Sequence, residues 1–173
     1  MEINSLSAKQ VLFTDLDREL DVTRTVLDRL PEAQFNFKPH EKSMSLGRLA
    51  SHVADLPNWV YVTLAQDELD AATAERLPES TTHADLLARF DRHADAAREA
   101  AARFDIANLN RDWTMRNGPQ VIVTRPRLTV YRLWCLNHLV HHRAQLCLYL
   151  RLLNVPVPTV YFNTADDPTF VFA

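Results

Sequence analysis

The sequence predicts an all-α fold, a four-helix bundle with a short irregular or hairpin segment between helices 3 and 4. Three observations lead there. Apolar residues recur at helical spacing over four long stretches. Capping residues and prolines punctuate the ends of those stretches. Glycine is almost absent: Gly47 and Gly118 are the only two in 173 residues. Folds built on strand-to-helix turns or phosphate-cradling loops need several glycines for positive φ or close backbone approach. The chain also lacks the G-x-G-x-x-G and G-x-x-x-x-G-K-[ST] patterns, so nucleotide binding by those routes is excluded.

The first helix is expected to begin at Ser7, where Ser7-Ala-Lys-Gln10 has the form of a capping box and Leu6 and Val11 that of a hydrophobic staple. Val11, Leu12, Leu16, Leu20, Val26, Leu27 and Leu30 carry its apolar face, and Pro31 closes it. A polar connection leads to a second helix from about Ser45, which holds His52 and an internal Pro57 expected to bend it. Thr82-x-x-Asp85 suits the cap of a third helix reaching about Phe104, alanine-rich and with arginines and aspartates on a solvated face. Across 107–126 the helical pattern breaks, and Trp113-Thr-Met and Val121-Ile-Val-Thr flank Asn117-Gly118-Pro119 as a short hairpin would. The fourth helix, over about 128–153, is apolar on much of its circumference and is expected in the middle of the bundle. The tail from Asn154, with Pro156, Pro158 and Pro168, is expected to be irregular.

The length suits one domain over residues 1–173. Hydrophobic residues at 47% and charged residues at 24% fit a soluble globular protein. A net charge of −3 offers no electrostatic reason for a nucleic-acid partner. Cys135 and Cys147, on one helix, stand about 18 Å apart, too far for a disulfide. MEINSLSAKQ has no signal-peptide core, and no apolar run approaches the roughly 20 residues of a membrane span. The expectation is a cytoplasmic protein without a membrane or nucleic-acid partner.

Histidine carries the chemistry. His138 and His142 lie one turn apart, separated by about 6 Å of rise and about 40° of rotation, so both imidazoles can converge on one point. His52, between apolar residues of the second helix, is a third. Three imidazoles can cap a divalent metal and leave a coordination position open, the mark of a site that does chemistry. His141 stands about 100° from His142 and is the poorer ligand. An imidazole set does not name its metal, since zinc, nickel, copper and iron all accept it. The plainer alternative is a set of packing histidines satisfied by their neighbours.

Phe37-Lys38-Pro39, then Leu46-Gly47-x-Leu49-Ala50-x-His52 and Pro57-x-Trp59, resemble the second-helix region of the DinB-like family of damage-inducible proteins. His138-x-x-His141-His142-Arg143-x-Gln145 is similar to that family's H-x-x-H-H-R-G-Q motif, and Val155-Pro156-x-Pro158, Tyr161 and Asp166-Asp167 to its carboxyl-terminal pattern. The likeness spans nearly the whole chain; the two histidine segments are its specific part. Ala144 replaces the motif's glycine, and Phe162-Asn163-Thr164 a G-P-S. The resemblance implies a four-helix bundle, a divalent metal on His52, His138 and His142, and a homodimer.

Around these histidines, Asp55 at i+3 from His52 is a candidate fourth ligand, proton acceptor or partner of a ligating ring, with a solvated helix aspartate as the favoured plainer alternative. Cys135, one turn before His138, is a less favoured fourth ligand than a small buried hydrophobe. Gln145 is a candidate for orienting a bound water or substrate. His141 and Arg143 are read as supports of the helix interface or of a ligand's negative charge. His40, His83 and His93 are read as surface residues, and Trp59, Trp113 and Trp134 as core. A divalent ion on neutral imidazoles, zinc ahead of nickel or iron, would activate a thiol or a water. The resemblance favours a thiol-dependent S-transferase acting on a small-molecule substrate with a low-molecular-weight thiol. A metal-dependent hydrolase and a non-catalytic metal-binding stress-response bundle are the alternatives.

Overall fold

A computed structural model describes residues 7–168. The capping box forms as expected: Ser7 Oγ accepts from the Gln10 amide at 3.2 Å, and Gln10 Oε1 accepts from the Ser7 amide at 2.8 Å. Leu6, one half of the expected staple, lies outside the described residues, and Val11 is exposed. The run divides into α1 (Ala8–Phe13) and α2 (Leu16–Asp28) rather than forming one helix. At the break the Thr14 hydroxyl donates to the Gln10 carbonyl at 2.5 Å, a local bond that competes with the helical ladder.

Helix α3 (Leu46–Ala65) is capped by Ser45, whose Oγ accepts from the Arg48 amide at 3.2 Å, and Pro57 lies within it without ending it. Helix α4 (His83–Arg103) starts at Thr82, whose hydroxyl accepts from the Asp85 amide at 3.1 Å. Its arginines are not all solvated. Arg89 is buried and forms a two-bonded pair with Asp55 of α3, Nε to Oδ1 at 2.6 Å and Nη2 to Oδ2 at 2.5 Å.

The expected hairpin is present. Strands β2 (Asp112–Asn117) and β3 (Gln120–Pro126) pair antiparallel around Gly118, whose φ of 58° is one that glycine adopts freely. A third strand, β1 (Glu68–Asp70), runs parallel to β2 and was not foreseen, because three residues are too short to show a period. The β2–β3 register passes from Met115↔Val123 to Arg116↔Val121, so Ile122 is the extra residue of a β-bulge.

The last helix, α5, spans 127–152. Its middle stretch, Val130–Leu136, is wound as a π-helix, and α-helical geometry resumes over Asn137–Leu152. Packing joins α2 to α4, α4 to α3, α3 to α5 and α5 back to α2, closing a ring of four helices. Its interior holds Leu20, Leu27, Leu49, Val53, Leu86, Phe90, Leu146 and Leu150. Helix α5 does not run through the middle: Leu133, Leu148 and Leu152 are about half exposed on its outer side. Scattered exposed leucines are ordinary on protein surfaces, so an apolar circumference overstates burial. A second, small cluster of Val62, Trp113 and Val130 seats the sheet against α3 and α5. Among the described residues no helix is long and apolar enough to cross a membrane, and both cysteines are free.

Candidate metal centre

The helical spacing of the sequence brings His138 and His142 to one face of α5, and the α3–α5 contact sets His52 opposite them. His138 Nε2 lies 3.2 Å from His52 Nε2 and 2.9 Å from His142 Nε2. The three ring centroids are 4.7 to 5.0 Å apart. Three nitrogens bound to one ion at 2.0–2.1 Å stand roughly 2.9–3.4 Å apart as the angles open from right to tetrahedral. Two of the spacings here fall in that range, and the three ligand atoms all lie within 4.8 Å of one another, close enough for one ion to gather.

Proton positions lead to the same conclusion. His142 Nδ1 donates to Gln145 Oε1 at 2.7 Å, while Gln145 Nε2 donates to His141 Nε2 at 3.2 Å. His138 Nε2 faces both other imidazoles. His142 therefore turns an unprotonated Nε2 lone pair toward the other two rings. A lone pair aimed at the centre of three imidazoles is what a cation would bind, so the residues present fit a metal.

All three rings are held neutral. Burial, and then the neighbouring His142 and His138, lower His52 to about 4. Burial, then His142, lowers His138; burial lowers His142 against the opposing Gln145 bond. Neutral imidazole is the form that binds metal.

The group able to hold an ion comprises His52, His138 and His142, and among the described residues neither Asp55 nor Cys135 belongs to it. Asp55 turns to Arg89, with His93 Nδ1 also 3.5 Å away. Cys135 Sγ lies 3.5 Å from the Thr63 hydroxyl, and burial pushes its thiol up to about 12. Cys135 lies in the π-helical stretch and is buried. Gln145 braces His142 from behind. Arg143 is buried and pairs with Glu19 at 2.6 Å, so its charge is committed inside the protein. His40 is exposed as expected, but His93 donates to the Ala54 carbonyl at 2.9 Å and is mostly buried, and His83 Nε2 bonds the Leu27 carbonyl at 3.1 Å.

Trp113 is core, whereas Trp59 and Trp134 line a cavity of about 270 Å³ next to His138, with Met115, Ile122 and Val123. Helical spacing carried a signal for this: Trp59 is two turns beyond His52, and Trp134 is one turn before His138. A larger cavity of about 470 Å³, at the carboxyl ends of α3 and α4, includes none of the histidines.

No curated protein matches the chain. Solved structures similar to it in fold include two DinB-like proteins. A DinB-like protein from Bacillus cereus is 20% identical with a TM-score of 0.66, covering 87% of this chain and 95% of that one. A DinB-like protein from Bacillus subtilis is 15% identical with a TM-score of 0.67, covering 87% and 96%. The DinB family model matches residues 4–169, and the chain belongs to the DinB family.

Proposed function

We propose that this protein is a metal-dependent enzyme in which His52, His138 and His142 hold a divalent ion, zinc ahead of nickel or iron, and that it uses a low-molecular-weight thiol in an S-transferase-like reaction on a small molecule. One observation carries the reading: three converging neutral imidazoles have no fourth protein ligand beside them among the described residues. Such an ion keeps its full charge and lowers the pKa of a thiol or water that reaches it. Gln145 fixes the His142 ring so that its Nε2 would face the ion. The engagement of Asp55 by Arg89 favours a thiol over a hydrolytic water, because a thiolate generated by a metal needs less help from a general base than water does.

The test is metal analysis of untagged wild type and of the double variant His52→Ala, His138→Ala. The expected result is about one equivalent per chain in wild type and none in the variant, followed by thiol conjugation of an electrophile in a screen of small thiols. Wild type that carries no metal and takes up none from zinc, nickel or iron overturns the reading. Metal without turnover leaves a non-catalytic binding protein.

A further inference from the structure

We infer that the cavity beside His138 is the binding site for an uncharged apolar group of the substrate, the size of one substituted ring or a short branched chain. The inference deepens the metal-site reading and rests on it for the word substrate, but the cavity itself does not.

Its walls are Trp59, Met115, Ile122, Val123 and Trp134, with the His138 ring as the wall it shares with the histidine group. Among the described residues no carboxylate, ammonium or guanidinium lines it. A charged occupant would lose its hydration there without a partner, which is costly; an apolar one gains by leaving water. The volume is about 270 Å³, and a protein cavity of roughly 150 Å³ accommodates benzene.

Two departures from regular geometry build these walls. The bulge at Ile122 places it beside Val123 on the cavity, where strict alternation would send adjacent residues to opposite faces. The π-helical stretch contains Trp134, so the winding that ends just before His138 also sets the indole against the cavity. Bulges and π-helical stretches are both over-represented next to functional sites. Ile122 is 51% exposed, and an occupant would cover part of it. The cavity therefore holds the apolar portion of a ligand in the α3–α5 seam that also holds the histidines.

The test uses full-length protein, metal-free and zinc-loaded, titrated with 4-fluorobenzyl alcohol and followed by fluorine NMR. Saturable binding is expected in the metal-free protein, weakened at least roughly tenfold in Val123→Trp, which fills the space. The charged analogue 4-fluorobenzoate should bind the metal-free protein at least roughly tenfold more weakly than the alcohol. Circular dichroism checks the fold; should Val123→Trp not fold, Ile122→Trp, at an exposed position, decides instead. Absence of saturable binding overturns the inference, including absence because self-association closes the cavity. Equal binding by the filled variant, or equal binding of the benzoate, overturns it as well. Failure of the metal reading looks different: the zinc arm shows no uptake, while the alcohol still binds.

Discussion

At the scale of single residues, the histidine group depends on atoms one bond further out. Gln145 accepts the His142 Nδ1 proton and so decides which nitrogen of that ring faces the other two. Gln145→Leu keeps the size and removes the acceptor, and zinc affinity should fall by about 10- to 100-fold, the usual effect of losing such a brace. Competition with a chromogenic chelator measures it, and Gln145→Glu, which can still accept, should recover most of the loss. The pairing of His138 with His142 follows from helical spacing and was legible in the sequence. The role of Gln145 was not, because angular position alone does not say whether an amide faces the ligand or the back of an imidazole.

Between elements, the clearest difference from expectation is Asp55. Its spacing from His52 suited a ligand or proton acceptor, yet a partner from another helix, Arg89, holds it at 2.5 and 2.6 Å. Asp55→Ala would leave the buried guanidinium without its counter-charge. The expected cost is about 2–3 kcal/mol, below that of a fully buried pair because the Asp55 side chain is 36% exposed. Urea denaturation should register that loss while metal content stays at the wild-type level; loss of metal with unchanged stability would return Asp55 to the site. The π-helical stretch of α5 is a similar case. An ideal wheel puts Cys135 within reach of the metal position, whereas in the π-helical stretch it is buried at 1% exposure against Thr63. Interior packing selected a winding that no residue pattern announced.

In the whole molecule, the ring of helices and the tail keep neutral imidazoles inside a chain rich in charge. Arg143 donates to Glu19, the Thr23 hydroxyl and Tyr161, tying α5, α2 and the tail together. Enclosure makes stability depend on pH. His52 titrates near 4 in the folded protein against an ordinary 6.5, and His138 and His142 are lowered too. Above pH 6.5 neither state is protonated at His52. As pH falls toward 4 the unfolded chain takes up the proton first, so native stability declines through that window and levels off at His52 below it. The denaturant midpoint of metal-free protein should be lower at pH 5 than at pH 7.5, and His52→Leu should reduce the difference; equal midpoints would contradict the burial assigned to these rings.

The four-helix bundle, the helix caps at Ser7 and Thr82, the hairpin turn at Gly118 and the three histidines were all readable along the chain, because each is governed by spacing over a few residues or by a single side chain's bond to a nearby amide. The division of α1 from α2, the strand β1, the capture of Asp55 by Arg89, and the cavity between α3, α5 and the hairpin were not. They arise from contacts between segments tens of residues apart, where the charge, volume or strand edge that satisfies a group is supplied by an element its own neighbourhood in the sequence does not contain.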